Sequence, residues 1–158
     1  METQGRLIVD VARLDPEGEW YRGETGDDCL DLGGGELVSP VGGIRYDLFI
    51  QALGTELLVR GTLRLRLACV CSRCADTFET EAVDAEFVQS FEIGETTDFL
   101  DLTEEAREAI ILALPGYPVC REACRGLCMS CGTNLNKGAC TCHKKGKDSR
   151  WAALEALK

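Results

Sequence analysis

The most regular pattern in the chain is an alternation of apolar and polar residues near its middle. From Leu63 to Cys69 every second residue is leucine or cysteine, and Arg64, Arg66 and Ala68 lie between them. Successive side chains of a β-strand point to opposite faces, so the pattern predicts a strand with one buried and one wet face. Such a strand is typical of an antiparallel sheet that covers a core on one side.

The flanking segments are also typical of strands joined by turns. RLIVDVARL, residues 6–14, has a β-prone apolar centre, and the stretch that begins at residue 44 predicts strands with turns near Gly54 and Gly61. FETEAVDAEFVQSFEI, residues 78–93, predicts a further extended segment.

One segment has the pattern of an amphipathic helix. Thr103 is a candidate N-cap, Glu104 and Glu105 follow where the helix dipole favours negative charge, and Pro115 would end the helix. Its apolar stripe comprises Ala106, Ala109, Ile110, Ala113 and Leu114. A second, short helix is predicted at DSRWAALEAL, residues 148–157, after a lysine-rich connector.

These elements predict an α+β protein. Residues 1–118 would form an antiparallel β-sheet domain with one main helix near 103–114. Residues 119–158 would form a cysteine-rich, zinc-ribbon-like tail with a short terminal helix. No stretch resembles a secretory signal or approaches the roughly 20 apolar residues of a membrane span. We therefore expect a cytoplasmic protein with no membrane partner.

The net charge of −10 is unevenly distributed. Residues 1–59 carry −8, residues 60–74 carry +4, residues 75–116 carry −11, and residues 117–158 carry +5. Both positive blocks coincide with the cysteines. They are either a basic shell that offsets thiolate charge or part of a partner-binding surface, and charge alone leaves both open.

Eight of the ten cysteines fall into four close pairs. The pairs are Cys71 with Cys74, Cys120 with Cys124, Cys128 with Cys131, and Cys140 with Cys142. In a reducing compartment such clusters indicate metal binding or catalysis more often than disulfides. Zinc takes four thiolate or imidazole ligands in a tetrahedron, and a C-x-x-C turn supplies two of them.

The last four cysteines are the clearest candidate site. Gly132 can take the left-handed conformation that lets the chain leave the CMSC turn. NLNKGACTC then fits a short hairpin turning at residues 136–138, which returns the final pair on one side of an extended segment. We predict one zinc ion held by Cys128, Cys131, Cys140 and Cys142.

The remaining two pairs would form a second four-thiolate site that joins the sheet to the segment after the helix. Its ligands would be Cys71, Cys74, Cys120 and Cys124. Alternatively, CSRC is a redox motif or a buried turn, and the CREAC thiols bind no metal. A different combination of the four cysteine pairs into two sites also remains possible. The simplest interpretation of Cys29 and Cys69 is that they are small buried residues. His143, beside two lysines, is interpreted as a surface residue.

Nothing in the sequence predicts an active site. Four cysteines close the coordination shell of zinc, whereas a catalytic zinc keeps an open position. His143 is the one histidine, and no phosphate-binding glycine loop is present. CSRC follows a strand, without the helix N-terminus that would activate a thiolate. We expect a non-enzymatic protein without a small-molecule substrate, with a thiol-disulfide oxidoreductase as the alternative.

Three segments together resemble one known family. LACVCSRCADTFE, DLTEEAREAIILALPGYPVCREACRGLCMSCGTNLNKGACTC and DSRWAALEAL are similar to the YceD family of large ribosomal RNA subunit accumulation proteins, over residues 45–158. Some branches of that family lack the last four-cysteine element but keep the two earlier pairs. The resemblance thus implies that Cys71 and Cys74 act with Cys120 and Cys124. CMSC departs from the family pattern in lacking the usual proline after its first cysteine.

The resemblance also implies a function. Family members are bacterial cytoplasmic proteins that act in synthesis, processing or accumulation of the large-subunit ribosomal RNA, and they are not known as enzymes. Their genes often neighbour that of a small basic ribosomal protein. The implied partners are therefore the ribosomal RNA precursor, such a basic protein, or both. The six-cysteine stretch would divide at Gly126 and Leu127 into a hinge between two structural zinc ions.

Overall fold

The computed structural model describes residues 5–27, 30, 37–94 and 96–142. In chain order the elements are β1 (Ile8–Asp10), β2 (Glu19–Glu24), β3 (Val38–Pro40), β4 (Arg45–Leu53), β5 (Glu56–Val70), β6 (Thr77–Glu92), β7 (Phe99–Asp101) and α1 (Thr103–Leu112). Every strand pair is antiparallel, in agreement with the predicted α+β class. The predicted terminal helix lies outside the described residues. Within them, no helix has the length and apolarity needed to cross a bilayer.

The long strand β5 organises the main sheet. Strand β6 pairs with one edge of β5 along nearly its whole length. On the other edge β5 pairs first with β4, over residues 56–64, and then with β3, over residues 67–69. Strand β2 extends the sheet beyond β4, while β1 and β7 form a separate two-stranded sheet. The two ends of β5 therefore have different neighbours on that edge.

The apolar face of β5 carries the centre of the core. Leu63, Leu65 and Leu67 are fully buried, whereas Arg64 and Arg66 on the opposite face are exposed, so the predicted alternation is confirmed. Helix α1 contributes Ala106 and Ile110 to the same core. The sheet is thus covered on its inner face and open on its outer face.

The predicted turn at Gly61 is wrong, because β5 continues through this residue. A Cβ atom at Gly61 would lie 2.1 Å from the backbone oxygen of Asp47 on β4. The register of β5 against β6 also shifts between Gly61 and Leu63, as at a β-bulge. The glycine marks a close approach of two backbones within the sheet, while the predicted turn at Gly54 is present.

The start of α1 also differs from its predicted form. Thr103 is the first residue of the helix, and the carboxylate of Asp101 accepts a hydrogen bond from the Thr103 amide at 3.0 Å. The Thr103 hydroxyl instead accepts a hydrogen bond from the amide of Leu7 at 2.9 Å. Asp101 therefore satisfies the helix end, and Thr103 ties α1 to the N-terminal segment. Glu104 and Glu105 lie in the first turn as predicted.

Candidate metal centres

The first C-x-x-C turn is the loop of the β5–β6 hairpin. The Cys71 amide donates to the oxygen of Asp76 at 2.9 Å, and the Ala75 amide donates to the oxygen of Cys71 at 2.9 Å. Ala75 has a φ of 59°, a left-handed conformation that is rare for a residue with a side chain. These bonds turn the loop so that the buried side chains of Cys71 and Cys74 come together.

The second C-x-x-C turn repeats this backbone arrangement. The Cys128 amide donates to the oxygen of Thr133 at 2.9 Å, and the Gly132 amide donates to the oxygen of Cys128 at 2.9 Å. Gly132 has a φ of 71°, so its predicted left-handed conformation is confirmed. Gly132 and Ala75 therefore occupy equivalent positions in two turns of the same kind, although Ala75 lacks the freedom of glycine.

Hydrogen bonds bring the segment after α1 back to the first turn. The amide and hydroxyl of Ser72 both donate to the oxygen of Pro118, at 2.8 and 3.0 Å. The guanidinium of Arg73 donates to the oxygen of Glu122 at 3.1 Å. Cys120 and Cys124 are thereby delivered to the β5–β6 loop.

The first candidate site consists of the four cysteines that the resemblance groups together. The sulfurs of Cys71, Cys74, Cys120 and Cys124 all lie within 4.8 Å of one another. Two of the separations, Cys71 to Cys124 and Cys74 to Cys120, are 3.8 Å. A disulfide needs about 2.05 Å, whereas tetrahedral metal–sulfur bonds of about 2.3 Å put the sulfurs about 3.8 Å apart. The spacing fits a four-thiolate metal ion.

The second candidate site is more exposed. The sulfurs of Cys128, Cys131, Cys140 and Cys142 also lie within 4.8 Å of one another, and Cys131 and Cys142 are exposed to solvent. The hairpin predicted between these pairs is not formed as expected. Its turn begins at Asn134, and residues 138–142 have no strand partner among the described residues. Both groups of four could hold a metal ion.

The pKa values of the thiols show why a cation suits each group. Burial raises the pKa of the Cys71 thiol. Hydrogen bonds from backbone amides, the strongest from Cys120, outweigh this effect and lower the pKa to about 6. Burial and neighbouring thiols raise the pKa of Cys120 to about 12. At the second site, hydrogen bonds from Thr133 lower the pKa of Cys131 to about 6, and Cys131 itself raises that of Cys142 to about 12. Four thiolates this close repel one another unless a cation lies between them.

Cys69 belongs to neither group of four. It is part of the main core, where burial raises the pKa of its thiol. Cys29 and His143 lie outside the described residues.

Sequence reasoning missed three polar residues at the first site, namely Asp76, Asn134 and Asn136, whose contacts are given below. The sequence contains one signal for the two asparagines, which is their position two residues apart in the NLN triplet between two cysteine pairs.

Comparison with known proteins gives one match to the C-terminal part of the chain and others that cover nearly all of it. The sequence model of the family described as large ribosomal RNA subunit accumulation protein YceD matches residues 89–158. An uncharacterized protein of Mycobacterium tuberculosis is 31% identical over 167 aligned positions, which cover 94% of this chain and 79% of that protein. No solved structure matches the chain.

A plant relative carries the family's name. The chloroplastic large ribosomal RNA subunit accumulation protein YCED homolog 1 of Arabidopsis thaliana is 34% identical over 59 residues, covering 37% of this chain and 18% of the plant protein. The family match covers the segment after α1 with all six of its cysteines, and the mycobacterial match extends over nearly the whole chain. The chain therefore belongs to the YceD family of large ribosomal RNA subunit accumulation proteins.

Proposed function

We propose that this protein is a non-enzymatic, cytoplasmic factor in the accumulation of large-subunit ribosomal RNA, and that it acts by binding a basic ribosomal protein. The family name supports the role in ribosomal RNA accumulation. The observation that carries the choice of partner is a carboxylate-lined groove between β6 and α1. Contact with ribosomal RNA precursor is a second candidate for the same role.

Two structural zinc ions are part of the proposal. Each group offers four sulfurs and no histidine among the described residues, and thiolate sets of this kind select zinc over hard cations. Such a shell leaves no position for water or substrate, so the ions would stabilise the fold without performing chemistry. Thiols held for zinc also require a reducing compartment, which supports the cytoplasmic location.

The thiol-disulfide oxidoreductase alternative is not favoured. Cys71 and Cys74 are only 2% and 3% exposed, and their turn leads into a strand, not a helix. A thiol that exchanges disulfides must be reachable by its substrate. Metal analysis of the purified chain distinguishes a structural zinc site from an oxidoreductase. About two zinc ions per chain, with unreactive thiols, would support the structural role. Metal-free and reactive thiols at Cys71 and Cys74 would refute the structural role.

The groove lies between β6 and α1 and has a volume of about 270 Å³. Its acidic lining residues are Asp84, Glu86, Glu105 and Glu108, and none of the lysines and arginines that the structure describes lines it. Oε2 of Glu105 is buried without a hydrogen-bond partner among the described residues. Val88 and Leu112 also line the groove and are 59% and 87% exposed. A lysine- or arginine-rich segment with an apolar residue complements this surface.

The open outer face of the sheet carries a surface that favours RNA. Trp20, Phe49, Arg60 and Val88 are paired in register across four strands and line an open groove of about 480 Å³. The Arg60 guanidinium lies 5.2 Å from the centre of the Phe49 ring, and it has no carboxylate partner within the part of the chain described. Aromatic and guanidinium groups of this kind stack on unpaired bases.

Pull-down of the tagged full-length chain from lysate, with and without nuclease, tests the choice of partner. A directly bound basic ribosomal protein stays with the chain after nuclease treatment. If nuclease abolishes its recovery, and Trp20→Ala lowers recovery in untreated lysate, RNA is the partner and the basic-protein proposal is refuted.

A further inference from the structure

The turn at residues 133–137 belongs to the second cysteine group in sequence but lies against the first one in space. Nδ2 of Asn136 donates a hydrogen bond to the sulfur of Cys124 at 3.3 Å. Oδ1 of Asn136 accepts one from the Arg125 amide at 2.8 Å. A side chain from between Cys131 and Cys140 therefore contacts a ligand of the other site directly.

The same turn also holds the other half of the first site. Nδ2 of Asn134 donates to a carboxylate oxygen of Asp76 at 2.9 Å, and Nζ of Lys137 lies 2.7 Å from the other oxygen of that carboxylate. Asp76 closes the loop that carries Cys71 and Cys74. The turn thus contacts both halves of the first site, and Nδ2 of Asn136 also donates to Oδ1 of Asn134 at 3.0 Å, which joins the two contacts.

Backbone contacts hold the two groups close together. The Leu127 amide donates to the oxygen of Arg73 at 3.0 Å, and the Leu135 amide donates to the oxygen of Gly126 at 2.9 Å. Gly126 has a φ of 73°, and a Cβ atom there would lie 3.1 Å from the oxygen of Arg73. The segment expected to be a hinge is instead packed against the first C-x-x-C turn.

The position of Asn136 depends on the second site. Residues 132–139 form a loop between Cys131 and Cys140, whose sulfurs converge with those of Cys128 and Cys142. A metal ion that binds the four thiolates closes this loop and removes most of its alternative conformations. It thereby holds Asn136 where its amide reaches the Cys124 sulfur.

We propose that Asn136 is a positioning residue that couples the two metal sites, so that occupancy of the second site raises the metal affinity of the first. A hydrogen bond to a metal-bound thiolate disperses its charge and fixes its direction, and partners of this kind are typically worth about 10–100-fold in metal affinity. Because such coupling is reciprocal, occupancy of the first site raises the affinity of the second by the same factor.

The inference rests on the proposal that both groups hold zinc. The test distinguishes a failure of the coupling from a failure of the zinc proposal. Zinc affinity of the full chain is measured by competition with a chelator, in wild type and in Asn136→Leu, which has similar volume but no N–H donor. Cadmium NMR supplies the second readout, because each loaded site gives its own resonance, assigned with Cys→Ser variants. Asn136→Leu should weaken the first site about 10–100-fold and shift its cadmium resonance.

Lys137→Ala is the matched control. It removes the ion pair with Asp76 but leaves the hydrogen bond to Cys124 intact, so the resonance of the first site should stay in place. A shift as large as that of Asn136→Leu would mean that general loosening of the turn, and not the hydrogen bond, sets the environment of the first site.

The coupling itself is measured with Cys131→Ser/Cys142→Ser, which disables the second site. This double substitution should lower first-site affinity by about 5–150-fold in wild type and have little further effect in Asn136→Leu. Equal losses in both backgrounds, or no loss in wild type, would overturn the coupling. A wild-type chain that binds no zinc at all would instead refute the zinc proposal.

Discussion

The sulfur of Cys71 lies 3.8 Å from that of Cys124, although 53 residues separate them in sequence. One belongs to the loop between β5 and β6, and the other to the segment that follows α1. A metal ion at this point closes a long loop of chain and fixes the tail to the end of the sheet.

Metal removal should release the tail before it unfolds the sheet. Structural zinc contributes about 10–16 kcal/mol of apparent binding free energy in zinc-finger peptides, whereas the core of this sheet is apolar and contains no metal ligand. With strong chelator and reductant, trypsin should cut rapidly after Arg121 and Arg125. Cleavage after Arg107 on α1 should stay slow and serves as the internal control. Unchanged rates at Arg121 and Arg125 would contradict a metal-dependent tail.

Substitutions at the equivalent left-handed positions of the two C-x-x-C turns should have opposite effects. Ala75→Gly removes roughly 1–2 kcal/mol of strain from the left-handed backbone conformation. The greater conformational entropy of glycine in the unfolded chain costs about 0.5–1 kcal/mol. The net effect should be a stabilisation of the first turn by about 0.5–1 kcal/mol. Gly132→Ala should destabilise the second turn by about 1 kcal/mol. Urea unfolding of the metal-loaded chain measures both, and effects of the same sign would show that the turns are not equivalent.

Gly61→Ala should strongly destabilise the sheet. The new Cβ would meet the Asp47 oxygen at 2.1 Å, and neither backbone can move without breaking the pairing of β4 and β5. We expect a loss of about 2–3 kcal/mol in the free energy of unfolding. Gly54→Ala is the control, because a Cβ there meets no atom within 4 Å and only its φ of 67° is strained. Equal losses for the two variants would argue against the close approach.

Charge reversal in the groove should weaken binding of the basic partner. Glu86→Lys with Glu108→Lys replaces two of the four lining carboxylates, and we expect about a tenfold loss of affinity and a shallower salt dependence. Glu17→Lys with Glu122→Lys makes the same change in net charge at two exposed residues outside the groove. Surface plasmon resonance with the partner identified by pull-down measures both. Equal losses would mean that net charge acts without a defined groove.

Much of the fold could be predicted because it depends on local periodicity. The alternation around Leu65 requires one buried face whatever the neighbouring strands are, and the acidic first turn of α1 favours a helix in isolation. Spacing alone predicted both groups of four cysteines but left swapped partnerships among the pairs open. The family resemblance then favoured the grouping of Cys71 and Cys74 with the pair that follows α1. The alternation that ends at Cys69 already placed this residue on the apolar face, and the structure confirms that it is a buried core residue.

The errors concern positions whose conformation depends on distant contacts. A glycine within a strand and a glycine at a turn look alike in sequence, and only the approach of Asp47 explains Gly61. Thr103 met the local requirements of an N-cap, but its hydroxyl accepts a hydrogen bond from the amide of Leu7, 96 residues away. The N-cap position is Leu102, and the carboxylate of Asp101 accepts the hydrogen bond of the first helical amide. The NLN triplet marked Asn136 as a residue to consider, but its contact with the sulfur of Cys124 depends on the fold of the whole tail.

The loop of the β5–β6 hairpin also sets an order of events during synthesis. Hairpins form within about 1–10 μs, so Cys71 and Cys74 are brought together soon after β6 leaves the ribosome. Cys120 lies about 28 residues beyond Glu92, the last residue of β6, and synthesis of that stretch takes about 1–6 s at 5–20 residues per second. For that interval the nascent chain presents a preformed pair of thiols, and the last two ligands arrive at a half-built centre instead of assembling it from a disordered chain.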